Sequence, residues 1–169
     1  RPDIVCFING FPIAVIECKK ESVKVAEAVT QMLRNQGKNE TPKFFLYPQL
    51  LIATNVNELK YGTMLTPAKF YTHWKEKDAN PGEFDTTVGT LINKTVDSEV
   101  VSQISKDLTR SGYTQNTRSA TEQDRGIYSL LQPERLLHFV RNFVLYDGGV
   151  KKVARYQQYF AIRKTMTRL

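Results

Sequence analysis

Asp3, Glu17 and Lys19 are the residues whose types and spacing point most directly to chemistry. Two apolar runs rich in β-branched residues, one from Arg1 to Ile8 and one from Pro12 to Lys19, are joined across Asn9-Gly10, a hairpin signature. Asp3 heads the first strand. Glu17 and Lys19 end the second on one face, since side chains two apart on a strand point the same way. A carboxylate and an ammonium closing an apolar strand are costly to bury unless something pairs with them. A divalent metal held by Asp3 and Glu17, with Lys19 beside an attacking water, satisfies all three groups. That is the equipment of metal-assisted phosphodiester hydrolysis, which needs a hydroxide nucleophile and neutralisation of transition-state charge. Mg²⁺ favours carboxylates and fills its octahedron with water, so the backbone carbonyl of Cys18 is a reasonable third protein ligand. The plain alternative is a hairpin ending at the surface, with Glu17, Lys19 and Lys20 as solvated termini.

For the two carboxylates to converge they must share a face. A two-residue Asn9-Gly10 loop pairs Ile8 with Phe11, hence Asp3 with Ile16, turns Glu17 away and would sink the shared-metal reading. A three-residue loop, Ile8-Asn9-Gly10 with a G1 bulge, pairs Phe7 with Phe11 and sets Asp3 opposite Val15, with Glu17 its diagonal neighbour. The odd loop is therefore the expectation. In that register Cys18 lies roughly 20 Å along the strand from the partner of Cys6, too far for a disulfide. Both cysteines are expected to be free, buried thiols in a reducing cytoplasm.

The elements around this hairpin read as an α/β core. Ser22 to Gln36 has helical spacing at Val25, Ala28, Val29 and Met32, with Ser22 as a cap and Gly37 as a stop. Pro48 to Thr54 reads as a buried strand, and Leu59 to Thr63 as a short one after the Asn55-Val56-Asn57 turn. Three regions follow: residues 1–75 as the core, 76–132 as a polar connection with a helix near 97–109, and 133–169 as a helical segment. Ser111 to Asp124 reads as an exposed loop. Pro133 to Tyr146 reads as a strong amphipathic helix broken by Asp147-Gly148-Gly149, and a basic helix as running from about Val153 onward.

Net charge is +7 over 169 residues, 41% of them hydrophobic. The balance favours a polyanionic partner. No apolar run approaches the roughly 20 residues that span a membrane. Residues 151–169 hold six basic side chains and no acidic one, which also suits a solvated helix face. The chain opens without Met and reads as a piece of a longer protein.

Pro2-Asp3 followed by Glu17-Cys18-Lys19 resembles the PD-(D/E)xK nuclease superfamily. More specifically it resembles the N-terminal endonuclease domain of the R (restriction and motor) subunit of type I restriction enzymes. That subgroup carries Gln-x-x-x-Tyr on the next helix; here Gln31 matches and Asn35 stands where the tyrosine would be. Without the family, Gln31 and Asn35 are a solvated or capping pair near a helix end. The stretch Tyr47 to Asn55, then Lys60-Tyr61-Gly62-Thr63, resembles the strand and turn closing that nuclease core. Lys60 is a candidate DNA contact, or a plain surface lysine. Val153 to Ala161 resembles the segment entering the family's superfamily 2 helicase-like motor, where a glutamine matching Gln158 reads the adenine of ATP.

The resemblance implies a PD-(D/E)xK core, a mixed sheet flanked by helices, that cleaves double-stranded DNA. It implies Mg²⁺, with Mn²⁺ as a substitute, bound by Asp3, Glu17 and the Cys18 carbonyl, with Lys19 catalytic and Gln31, Asn35 and Lys60 in support. It further implies an ATP-driven motor in the full-length protein, modification and specificity subunits as partners, and a cytoplasmic setting without membrane. The nearest approach to a Walker loop, Val88 to Thr95, lacks the required glycines, so this stretch is not expected to hydrolyse ATP. Two other readings remain open. One is a catalytically inactive, basic nucleic-acid-binding or docking domain, favoured by Asn35. The other is a repair or recombination nuclease of the same superfamily.

Overall fold

The computed structural model describes residues 2–77, 80–95 and 117–168. Strands β1 (Ile4–Ile8) and β2 (Phe11–Cys18) form the antiparallel hairpin. Its loop has two residues, not three: Ile8 pairs with Phe11, and Asn9 and Gly10 sit at φ 50° and 81°. Two consecutive left-handed residues make the turn whose twist matches a hairpin, and Asn-Gly is the pair that adopts it at least cost. The expected odd loop is thus overturned. The ladder, however, does not run on regularly. Phe7 pairs with Pro12, but Cys6 pairs with Ala14, so Ile13 is an extra residue in β2. Pro12 has no N–H to give a ladder, which favours the irregularity beside it. Beyond the bulge Val5 faces Val15 and Ile4 faces Ile16. Continued by one residue, this register sets Asp3 opposite Glu17. A two-residue loop plus one bulge restores the parity that the loop alone would have lost.

The sheet continues with β3 (Leu50–Asn55), β4 (Glu58–Gly62) and β5 (Thr72–His73), in the order β1-β2-β3-β4-β5. Only β2 and β3 are parallel; the other neighbours are antiparallel. The parallel pair needs a crossover, and α1 (Val25–Arg34) provides it. Every residue of β3 is buried, because both sheet faces are covered. On one face Val15, Leu51 and Ala53 pack with Val25, Ala28, Val29 and Met32 of α1 and with Phe45 and Tyr71. On the other, Ala14, Ile16, Leu50, Ile52 and Tyr61 meet Trp74, Leu130, Phe139 and Tyr159.

Apart from Trp74, that second layer comes from beyond residue 120. Helix α3 (Glu122–Leu131) begins in a segment expected to be loop: Thr121 and Asp124 form a capping box, with Thr121 N–H donating to Asp124 Oδ2 at 2.9 Å. Helix α4 (Pro133–Phe143) ends three residues before Tyr146, since Val144 turns extended and enters β6 (Val144–Asp147). β6 pairs with β7 (Val150–Val153) across Gly148 and Gly149, at φ 57° and 79°. Residues 133–169 are therefore not wholly helical, and the basic helix, α5 (Tyr156–Met166), starts after β7. Ser22 does not cap α1; Lys24 occupies that position without a side-chain bond.

The chain divides into two compact units, residues 1–78 with 121–169, and residues 79–120. In the second, α2 (Pro81–Ile92) opens with Asn80 accepting from Gly82 N–H at 3.0 Å. Asn93 holds both the N–H and the carbonyl of Arg118, each at 2.9 Å. The helix expected near 97–109 lies outside the described residues. Among the described residues no helix is long and apolar enough to cross a membrane. Cys6 and Cys18 are free and half-buried rather than buried. The partner of Cys6 is Ala14, four residues from Cys18, about 13 Å along the strand.

Candidate active site

The end of β2 carries the site because both neighbouring strands reach it. Glu17 lies opposite Ala53 of β3, and Lys19 N–H extends the parallel ladder by donating to Thr54 O at 2.8 Å. Glu17 is completely buried. Its Oε1 takes the Lys19 ammonium at 3.1 Å, while its Oε2 has no hydrogen-bond partner. Lys19 Nζ also donates to Gln31 Oε1 of α1 at 2.5 Å, so the helix covering this face fixes the ammonium from above. Asp3 stands at the exposed edge, its Oδ2 accepting from Cys18 N–H at 2.8 Å. Asp3, Glu17, Lys19 and Gln31 are thus brought together, with Asp3 opposite Glu17 rather than on the expected diagonal. The contact of Gln31 with Lys19 had no sequence signal beyond the family motif.

The electrostatics describe a strained pair of carboxylates. Burial raises the Glu17 pKa above the usual carboxylate range; the hydrogen bond from Lys19 opposes this, and the nearby Asp3 charge adds to it. The Cys18 thiol is also pushed up, by burial first and then by both carboxylates. A buried carboxylate oxygen without a donor, close to a second carboxylate, is the environment a divalent cation relieves. Asp3 and Glu17 therefore fit as metal ligands, with the Cys18 peptide beside them. Among the described residues no group of three or more His, Cys, Asp and Glu side chains gathers in a form that could hold a metal. The protein's share of a coordination shell here is small.

Other candidate residues stand apart. Lys60 lies in register with Glu17 but two strands away, through Ala53, and its ammonium pairs with Glu58 Oε1 at 3.2 Å. His73 Nε2 approaches the same oxygen at 3.4 Å. Asn35 is the buried C-cap of α1, 2% exposed, with Nδ2 lacking a partner. It is not a solvated residue paired with Gln31. Gln158, exposed, accepts the Arg155 N–H at 2.9 Å and so closes the N-terminus of α5.

Residues 1–70 match the model of the type I restriction enzyme R protein N terminus. A type I restriction enzyme HindI endonuclease subunit of Haemophilus influenzae is 26% identical over 98% of this chain. That match takes up 13% of the relative's own length. A type I restriction enzyme endonuclease subunit of Staphylococcus saprophyticus is 33% identical over 47% of this chain, and 9% of its own length is covered. The chain thus spans a small part of the curated relatives it matches. Across nearly its whole length it is similar to the endonuclease subunits of type I restriction enzymes, and its first 70 residues match the N terminus of their R protein.

Proposed function

We propose that this chain is the Mg²⁺-dependent endonuclease module of a type I restriction enzyme, with a PD-(D/E)xK core that cleaves double-stranded DNA. One observation carries the reading: the buried Glu17 carboxylate, one oxygen on Lys19 and the other unpartnered, beside Asp3 on the same face. Asp3, Glu17 and the Cys18 carbonyl would hold the ion, which when bound supplies Lewis acidity and a water of lowered pKa. The chain's own contribution is orientation. Gln31 holds the Lys19 ammonium over Glu17, where it stabilises negative charge developing on the scissile phosphate. The basic balance of the chain favours the phosphate backbone as a ligand, read without base contacts. In the full-length protein an ATP-driven motor delivers DNA to this site, modification and specificity subunits complete the enzyme, and the setting is the cytoplasm. Gln158 belongs to that motor, and Gln158→Ala is expected to raise its ATPase KM while leaving metal affinity at Glu17 unchanged.

The test is plasmid cleavage by the full-length enzyme. Asp3→Ala, Glu17→Ala and Lys19→Ala should each abolish the cut while circular dichroism stays native. Retained cleavage in Glu17→Ala would move the catalytic centre elsewhere. The competing reading, a docking domain that has lost catalysis, is favoured by Asn35, whose buried amide does not reproduce the family's tyrosine. A wild-type enzyme that binds but never cuts DNA would establish it.

A further inference from the structure

Asn55, the last residue of β3, is tied to the segment that joins Lys19 to α1. Its Nδ2 donates to Val23 O at 2.8 Å, and its Oδ1 accepts from Asn57 N–H at 3.0 Å. Both ends of the amide are used, so its orientation is determined. Two further bonds bind the same pieces together: Lys19 N–H to Thr54 O, and Asn57 Nδ2 to Glu21 Oε1 at 3.4 Å. Thr54 Oγ1, itself buried, shares its single proton between Asn55 O and Glu58 O, at 3.0 and 2.9 Å, and stiffens the turn from beneath.

The position of that clasp gives it leverage. Helix α1 starts at Val25 with no capping side chain of its own, since Lys24 makes no such bond. Two residues before Val25, the Val23 carbonyl is held by Asn55 from 32 residues away in sequence, ahead of the buried stripe Val25, Ala28, Val29 and Met32. The path from Lys19 through the loop into α1 returns to Lys19 through Gln31. The clasp sits where this circuit leaves the sheet. Asn55 is 5% exposed and makes no contact with Asp3, Glu17 or Lys19 that its hydrogen bonds record.

We propose that Asn55 is a positioning residue of the cleavage centre: by holding Val23 it sets α1 against the end of β2, and so fixes where Gln31 places the Lys19 ammonium. The proposal rests on the reading of Glu17 and Lys19 as a nuclease site. Its variant is Asn55→Asp, which keeps an acceptor for Asn57 but replaces the donor to Val23 O by a charged oxygen that repels that carbonyl. In the full-length enzyme the single-turnover cleavage rate at saturating DNA should fall about ten- to a hundredfold, the scale of a small misplacement of a catalytic group. DNA affinity should hold, so that the loss falls on the cleavage step alone. In a Gln31→Ala background the same change should cost little more, because both act through one ammonium. If Asn55→Asp fails to fold, Asn55→Ser, which shortens the reach without introducing a charge, carries the same comparison. A wild-type rate overturns the proposal. So does a loss that is fully additive with Gln31→Ala, or one that appears as weakened DNA binding with the cleavage step unchanged. Cleavage by Glu17→Ala in the same series would instead remove the nuclease reading and leave the clasp a purely structural feature.

Discussion

Glu17 shows how a single residue can be costly to the fold and useful to the site. Its carboxylate is wholly buried with one oxygen unpartnered, and burial is the first cause of its raised pKa. The folded chain therefore keeps the Glu17 proton to higher pH than the unfolded chain does. Stability contributed by the neutral form is present below the ordinary carboxylate range and is lost as pH rises through the raised value. Two consequences follow at this scale. In chelator at pH 8, Glu17→Gln, which mimics the neutral acid, should raise Tm by roughly 2–4 °C, the equivalent of about 1 kcal/mol in a chain of this size. Added Mg²⁺ should raise the Tm of the wild type and leave that of the variant unmoved. A fall in Tm for Glu17→Gln in chelator would mean that the ion pair with Lys19 outweighs desolvation. Residue types alone disclosed Asp3, Glu17 and Lys19, because charges at the end of an apolar strand are conspicuous in any sequence. They offered Asn35 as a cap but could not disclose that it is buried, nor that Gln158 closes a helix, since both depend on where a helix ends.

At the scale of elements, what was legible is what periodicity and turn chemistry encode. Asn9-Gly10 announced the hairpin, and Val25, Ala28, Val29 and Met32 announced the buried stripe of α1. The bulge at Ile13 was not legible, because local preference decides the loop while the register of the whole ladder is decided by packing on two faces. The end of α4 was missed for a related reason. Its apolar stripe runs on through Val144, whose side chain suits a strand as well as a helix, and the hairpin closed by Gly148 and Gly149 claims it. The start of helix α3 fell in a segment read as an exposed loop, because its polar composition hid the face that packs on β4. That packing depends on Gly126, where an added Cβ would stand 2.8 Å from Leu59 Cδ1 and 3.1 Å from Leu59 Cβ. Leu59 can rotate its methyl groups away, but not its Cβ. Gly126→Ala should cost about 1–3 kcal/mol, the usual range for overpacking, despite the better helix propensity of alanine. Urea denaturation would measure it, and a neutral or stabilising result would mean that α3 moves off the sheet freely.

For the molecule as a whole, the proposed metal role turns on how little of a coordination shell the chain would provide. Asp3 and Glu17 are two carboxylates, and among the described residues no third acidic, histidine or cysteine side chain joins them as a metal group. With the Cys18 carbonyl counted, about half of an octahedral shell is left to water and to oxygens of the DNA. The two carboxylates also repel each other, as the contribution of Asp3 to the Glu17 shift records. That repulsion favours a cation, but Lys19 already occupies one Glu17 oxygen and opposes it. Affinity for Mg²⁺ should therefore be weak in the chain alone and rise when a duplex is bound, because phosphate oxygens complete the shell while the net charge of +7 gathers the DNA. Coupling of this kind is reciprocal, so Mg²⁺ should tighten DNA binding by the same factor. Titration calorimetry of Mg²⁺, with and without a short duplex, reads both directions. Tight Mg²⁺ binding without DNA would require ligands beyond Asp3, Glu17 and Cys18. Equal affinity in both conditions would separate the acidic pair from the DNA path and return Glu17 and Lys19 to the role of a buried ion pair at a strand end.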